Sequence, residues 1–388
     1  MISLEKFQIS NFWGSKNITL DFHSKFVILT GHNGSGKSTI LEILHDSFSL
    51  MHDGEVQTIH ESWASELNFS DESLARSYFL GDDIELQDAL KRRIENSAKK
   101  TIKLDIFNSF DFINKTINNY TKKKNKDFLV KKDFSSSLKK KSFMTMQYHP
   151  TKDDMKFPKT IFFKDSRVLY NTVSDEVKEV NDLDIFNEAD SINKTLYLLM
   201  SSFIIEESKN KKLKFKDKNE LKKMFINELK SEQAFMGELK TSDEQLMSKL
   251  ESLVDRVFLK EIKNNSWGGG LFSAINEFLK KTKRSVTRDE KGFIAFKLNN
   301  GSIIKWYNFS RGEKTLLVLL LSVFLNKDKD VIFILDEPDL SLHIEWQELL
   351  LPNLSRLAPE RQFILSTHSP ALVGNIEEQY LNIAAITE

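Results

Sequence analysis

The chain has 388 residues, 40% hydrophobic and 29% charged, which is ordinary soluble globular composition and enough for a sizeable core. Its 56 basic and 56 acidic side chains cancel, so any affinity for nucleic acid would need local clustering and not a global field. It has no cysteine, which excludes disulfides and thiolate metal sites and fits a reducing cytoplasm.

The opening "MISLEKFQIS" lacks the charged-then-apolar layout of a secretory signal. "ISLEKFQI" and "ITLDF" alternate as strands, and "KFVILT" is a continuous apolar run suited to a central buried strand. "GHNGSGKST" follows at once, and "STILEILHDSF" then places Ile40, Leu41, Ile43 and Leu44 at helical spacing. A glycine-rich loop between strand and helix is a phosphate site. Gly31, Gly34 and Gly36 let backbone N–H groups approach phosphate oxygens, and the positive end of the helix dipole points at them. Lys37 neutralises the outer phosphates and Ser38 ligates Mg²⁺; Asn33, Gly34, Ser35, Gly36, Lys37, Ser38 and Thr39 are the expected contacts.

Between Ala98 and Ser142 thirteen lysines stand against four aspartates, with β-prone pieces between the lysine clusters. Solvated faces of a small β lobe are the simplest reading; a DNA or RNA contact through residues 99–141 is the other. "KTIFFKDSR" returns apolar character near residue 160. From Leu183 to Lys281 the pattern is helical, as in "SINKTLYLLMSSFIIEE" and "DEQLMSKLESLVDRVFLKEI", without sustained heptads. "WGGG" reads as a flexible break between helices. "GFIAFKL" and "SIIKWY" flank "NNG", a hairpin signal. "LLVLLLSVFL" is too short to span a bilayer and reads as a buried helix, and the strands "VIFIL" and "QFILS" follow. The alternation implies a parallel α/β sheet shared with the N-terminal strands. The expected segments are 1–97 with the phosphate loop, an inserted Lys-rich lobe at 98–157, a returning strand at 158–182, a helical insertion at 183–285, and 286–388.

"VIFILDEP" puts Asp336 and Glu337 at a strand's carboxyl end, where an open α/β sheet binds its ligand. Asp336 would hold Mg²⁺ and Glu337 would polarise the attacking water. Ser310 and Gly312 in "FSRGEKTLLVLL" open a buried helix, as a plain N-cap or a second anion site.

"FSRGE", with Ser310, Gly312 and Glu313 in the Ser-x-Gly-Glu form, resembles the signature of ATP-binding-cassette ATPases. His368 in "FILSTHSP" is similar to that class's switch histidine, which reaches the γ-phosphate. The "DEPDLSLH" and "STHSP" wording resembles the RecF/SMC-like branch. More narrowly it resembles the ATPases of overcoming-lysogenisation-defect nucleases and of the Septu, PARIS and retron-linked anti-phage systems. The resemblance implies one discontinuous ATPase head with a mixed or parallel sheet, binding ATP and Mg²⁺ in a homodimer or higher oligomer. Catalysis would fall to Glu337 and His368, the metal to Ser38 and Asp336, and trans contacts to Ser310, Gly312 and Glu313.

Three departures stand out. His343 replaces the D-loop Asp of transporters. No Gln follows "TIFF", where Asp165, Ser166 and Arg167 stand, leaving Gln57 and Gln147 as weaker Q-loop candidates. Only twenty residues follow His368, too few for a Toprim nuclease. The remaining histidines, His23, His45, His52, His60 and His149, read as structural or surface, and "DLDIF" as a helix start. The expected role is a cytoplasmic ATPase with no membrane contact that regulates a separate effector in anti-phage defence. The effector would be an HNH or Toprim nuclease, with a retron reverse transcriptase and its nucleic acid as further partners. A RecF-like repair ATPase that touches DNA directly and an ATP-dependent assembly scaffold are the alternatives.

Overall fold

The computed structural model describes residues 2–13, 16–52, 63–79, 129–131, 143–148, 157–164, 169–171, 191–210, 268–372 and 378–383. Most of the Lys-rich stretch, "DEQLMSKLESLVDRVFLKEI", "DLDIF", Gln57, His60, His149 and the Arg167 region lie outside them.

The first two strands, β1 (Leu4–Phe12) and β2 (Lys16–Asp21), pair antiparallel. β1 also pairs with β4 (Trp63–Phe69), which continues to β5 (Leu74–Phe79), β7 (Phe143–Tyr148) and β6 (Leu129–Lys131) in a six-stranded sheet. Register shifts in β1 let Leu4, Phe7, Ile9 and Phe12 all reach the core although their spacing is not strictly two. The expectation that these strands share the parallel sheet is corrected here: only the third N-terminal strand does. An alternating pattern marks a half-buried strand but does not say which sheet it joins.

That third strand, β3 (Phe26–Thr30), lies inside a second sheet, between β15 (Glu378–Asn382) and β14 (Gln362–Ser366). Beyond β14 come β13 (Val331–Asp336), β8 (Lys159–Phe163) and β9 (Leu169–Asn171). All these neighbours run parallel except β9, which is antiparallel to β8, so the sheet is mixed. Phe26, Phe363 and Phe333 stack in register across β3, β14 and β13, with ring centroids 4.8 and 5.0 Å apart.

Each central strand sends alternate residues to opposite cores. Val27, Leu29, Ile332, Ile334 and Ile364 face α1 (Lys37–Met51) and the antiparallel sheet. Phe26, Ile28, Phe333, Leu335, Phe363 and Leu365 face a helical layer. That layer is α2 (Ser191–Asn210), α3 (Gly269–Leu279), α4 (Arg311–Asn326) and α5 (Ile344–Leu357). The order of layers is therefore sheet, α1, sheet, helices. Lying between two sheets, α1 buries polar as well as apolar residues: His45 is fully enclosed, hydrogen-bonded to Thr160 at 2.9 Å, and burial pushes its pKa down to about 3.

Two glutamines join the sheets. Gln362 accepts from Leu4 N–H and donates to the Leu4 carbonyl, both at 2.9 Å. Gln379 does the same for His23 N–H and the Asp21 carbonyl at 2.7 Å. Each side-chain amide thus stands in for a strand's peptide group.

"SVTR" forms β10 (Ser285–Arg288), which with β11 (Ile294–Lys297) and β12 (Ile303–Ile304) makes a small antiparallel meander; the β11–β12 hairpin turns at "NNG" as the sequence indicates. "WGGG" differs from expectation: Gly268 is an N-cap, and Gly269 and Gly270 lie in the first turn of α3. A Cβ on Gly268 would stand 2.8 Å from the Phe203 ring of α2, so close approach, not flexibility, explains this glycine. No described helix is long and apolar enough to cross a membrane.

Candidate active site

Parallel register assembles the site. Asp336 is opposite Ser366, and Ser366 opposite Leu29, so the carboxyl ends of β3, β13 and β14 lie side by side. The loop 31–36, the pair Asp336–Glu337 and the segment 366–368 leave the sheet at one edge.

The phosphate loop is shaped for an anion. Gly36 has φ 95° and a Cβ there would stand 2.6 Å from Phe12 and 2.9 Å from Trp13, so both backbone and space require glycine. α1 starts at Lys37 with no side-chain cap and no acid in its first turn, leaving its N–H donors for a ligand. The Ser35 hydroxyl is buried without a protein partner, as a phosphate donor would be. Asn33 and Gly34 are exposed on the loop, and Ser38 and Thr39 occupy the first helical turn.

Lys37 is 5% exposed and all three of its donors are used: Gly31 O at 3.1 Å, His32 O at 3.3 Å and His368 Nε2 at 2.8 Å. Burial lowers its pKa, and Glu337 and Asp336 oppose the shift. An ammonium has only donors, so His368 Nε2 accepts and the neutral ring carries its proton on Nδ1. Burial and then Lys37 depress the His368 pKa, consistent with that state.

Ser38 Oγ donates to Asp336 Oδ1 at 3.0 Å, and Ser366 Oγ donates to the same oxygen at 2.5 Å. A hydroxyl and a carboxylate converging are the hard oxygen donors Mg²⁺ takes beside phosphates and water, so these residues fit the metal. Glu337 follows at φ 48°, a left-handed strain of ~1–3 kcal/mol for a non-glycine residue. Its N–H donates to the Ser366 hydroxyl and carbonyl at 3.1 and 3.2 Å, which hold the turn. Its carboxylate accepts from His368 N–H at 3.3 Å and lies 3.5 Å from His368 Nε2. Burial and then Asp339 push its pKa up to about 7 against the pull of Lys37.

Ser366 is a residue sequence reasoning missed, and its place before the histidine was the available signal. Asp339 and Gln347 were missed too. Asp339, raised in pKa by burial, accepts from Thr367 Oγ1 at 2.7 Å. Gln347 donates to the Asp339 and Leu342 carbonyls and accepts from Ser369. Trp13 is the fourth: 46% exposed, at φ 53°, it stacks on buried Phe12 at 4.6 Å beside Gly36.

The signature-like segment opens α4. Ser310 is exposed and caps α4; its Oγ accepts from Glu313 N–H at 3.3 Å while Glu313 Oε2 accepts from Ser310 N–H at 2.7 Å. A Cβ on Gly312 would stand 2.5 Å from Ser341 O, so the segment packs on the loop after Glu337. His343 is exposed there as the N-cap residue of α5. Glu313, 5% exposed, uses its carboxylate on the cap and on Arg284, 2.5 Å away. Gln147 lies on β7 in the antiparallel sheet, opposite Ala75 and Leu129.

Phosphate loop, the Ser38–Asp336 hydroxyl–carboxylate pair, strained glutamate and histidine at one sheet edge are the arrangement of a P-loop ATPase head. The model for an AAA ATPase domain, AAA_15, matches residues 2–373, and the chain belongs to that family. It is similar to the "Retron Vc95 probable ATPase" of Vibrio cholerae serotype O1 biovar El Tor, 24% identical across 95% of this chain and 73% of that one. It is 37% identical to the "Retron Ec83 probable ATPase" of Escherichia coli over only 18% of this chain and 15% of that one. "Endonuclease GajA" of Bacillus cereus (strain VD045) is 27% identical across 48% of this chain and 30% of its own length. Among solved structures, the Smc head domain of Pyrococcus furiosus aligns at 16% identity over 96% of this chain and 91% of that one, with a TM-score of 0.39. The chain is thus an ATPase of the AAA_15 family, and two retron-linked probable ATPases are among the proteins it resembles.

Proposed function

We propose that this ATPase hydrolyses ATP with Mg²⁺ at the β3–β13–β14 edge and that the cycle switches a separate effector, a nuclease, in anti-phage defence in the cytoplasm. One observation carries the chemistry: Lys37, Ser38, Asp336, Glu337 and His368 meet through contacts of 2.8–3.5 Å although they come from three distant segments. The loop N–H groups and Lys37 bind the phosphates. Ser38 and Asp336 would hold Mg²⁺, which supplies charge neutralisation on the outer phosphates. Glu337 takes the proton of the attacking water at its carboxylate, and His368, beside Lys37, contacts the last phosphate. Trp13 offers its exposed ring to the base.

Ser310 and Gly312 act on the nucleotide of a second copy, giving a homodimer or higher oligomer. Exposed Ser310 supports this: its oxygen accepts the cap bond, and its hydroxyl proton stays available to a phosphate. The retron ATPase relatives and the endonuclease relative support the defence setting and a nuclease effector.

Lys37→Ala and Glu337→Gln should each lower ATP turnover by about 100-fold or more; undiminished turnover in both would sink the catalytic reading. Co-expression with its genomic neighbours should restrict phage, and Lys37→Ala should abolish restriction. Cleavage of DNA by the purified chain alone would contradict the regulator role.

A further inference from the structure

Arg284, immediately before β10, touches the signature segment by two routes. Its Nη1 lies 2.5 Å from Glu313 Oε1, and the other oxygen of that carboxylate holds the Ser310 N–H. Its guanidinium also stands 5.7 Å over Phe296, which stacks at 4.0 Å and 15° on Phe309, the residue before Ser310. Thr282 Oγ1 accepts from Arg284 Nε at 3.1 Å and fixes the side chain, which is 19% exposed.

The far end of β10 is anchored as firmly. Arg288 pairs with buried Glu207 of α2 at 2.7 Å, donates to Gly292 O at 2.8 Å, and lies 5.1 and 5.0 Å from the rings of Phe203 and Phe272. A four-residue strand is extended and stiff along its hydrogen-bonded length. It ties the signature cap to α2.

We propose that Arg284 is the positioning residue of the signature: through Glu313 and the Phe296–Phe309 stack it sets where Ser310 meets the nucleotide of another copy, and β10 references that position to α2. The proposal rests on the reading that Ser310 works in trans. A capping box alone would fix the helix start without an arginine. The second contact, on the ring stack below Phe309, is what a cap does not need.

The test compares Arg284→Ala, Arg284→Lys and Ser310→Ala in the full chain, measuring kcat, the Kd of a fluorescent ATP analogue, and MgATP-driven dimerisation in a Glu337→Gln background. Arg284→Ala should lower kcat about tenfold or more and weaken dimerisation, with nucleotide Kd unchanged within about twofold. Arg284→Lys, which keeps the charge beside Glu313 but not the planar guanidinium over Phe296, should turn over faster than Arg284→Ala and slower than the parent. Ser310→Ala slow but Arg284→Ala within twofold of the parent overturns the positioning role and leaves the trans reading intact. Ser310→Ala at the parental rate overturns the trans reading and this inference with it. Arg284→Lys no faster than Arg284→Ala overturns the charge link. If Arg284→Ala does not fold, Glu313→Gln reads the same link: slow turnover with retained nucleotide affinity supports it, and a parental rate overturns it.

Discussion

Lys37 Nζ and His368 Nε2 are 2.8 Å apart, so the phosphate-loop lysine and the histidine after β14 are bonded to each other. A phosphate at Lys37 competes with this acceptor and with two loop carbonyls. His368→Ala removes one competitor and one orienting group together. Its Kd for ATP should be unchanged or tighter while kcat falls by about 100-fold. Isothermal titration beside steady-state turnover checks this, and a weakened Kd with normal kcat would contradict it.

Glu337 has its pKa raised to about 7, first by burial. A base must be ionised, so kcat/KM should rise with pH and level off above about 7. The same shift acts on stability. The folded chain holds this proton more tightly than the unfolded one, so the contribution is full below the ordinary value of 4.5 and lost as pH rises through about 7. Glu337→Gln should therefore match the parent's stability near pH 4.5 and exceed it at pH 8 by up to ~3 kcal/mol. Urea melts at the two pH values measure the difference.

Trp13 holds an exposed indole in a left-handed turn beside Gly36. If the ring stacks on the base, Trp13→Ala loses ~1–3 kcal/mol, a weakening of ATP binding of about 5- to 150-fold. Binding of inorganic tripolyphosphate, which has no base, should not change. Equal losses for both probes would place the effect in the phosphate loop instead.

Gln362 satisfies the N–H and carbonyl of Leu4 inside the core. Gln362→Ala strands both groups and should destabilise the chain by ~2–4 kcal/mol. Gln362→Glu keeps an acceptor but no donor and should also destabilise. The midpoint of urea unfolding reports the loss; an unchanged midpoint would mean water replaces the amide.

The residues of the candidate site were legible because each sits where a short local pattern changes: an apolar strand ends, then Gly-Lys-Ser, Asp-Glu or Ser-Thr-His follows. Their assembly at one edge follows from parallel register, which an apolar run such as "KFVILT" already implies. The sheet chosen by β1 and β2 was not legible, because their alternation fits any half-buried strand. Trp13 was not legible, because its neighbour Gly36 comes from another segment. Glu313 resembles a ligand residue in its motif, and only the Arg284 contact shows where its charge is spent. Ser366 and Gln362 act through partners 30 and 358 positions away, a separation no local pattern encodes.

The neighbours of β3 have a consequence for synthesis. Phe26 to Thr30 emerge early from the ribosome, yet β14 and β15, which flank the strand, comprise Gln362–Ser366 and Glu378–Asn382. The helix and strand that cradle phosphate therefore wait, without their sheet, until some 350 further residues have been translated, as long-range parallel pairing requires. A copy cut before Gln362 lacks both neighbours of β3 and should bind no nucleotide.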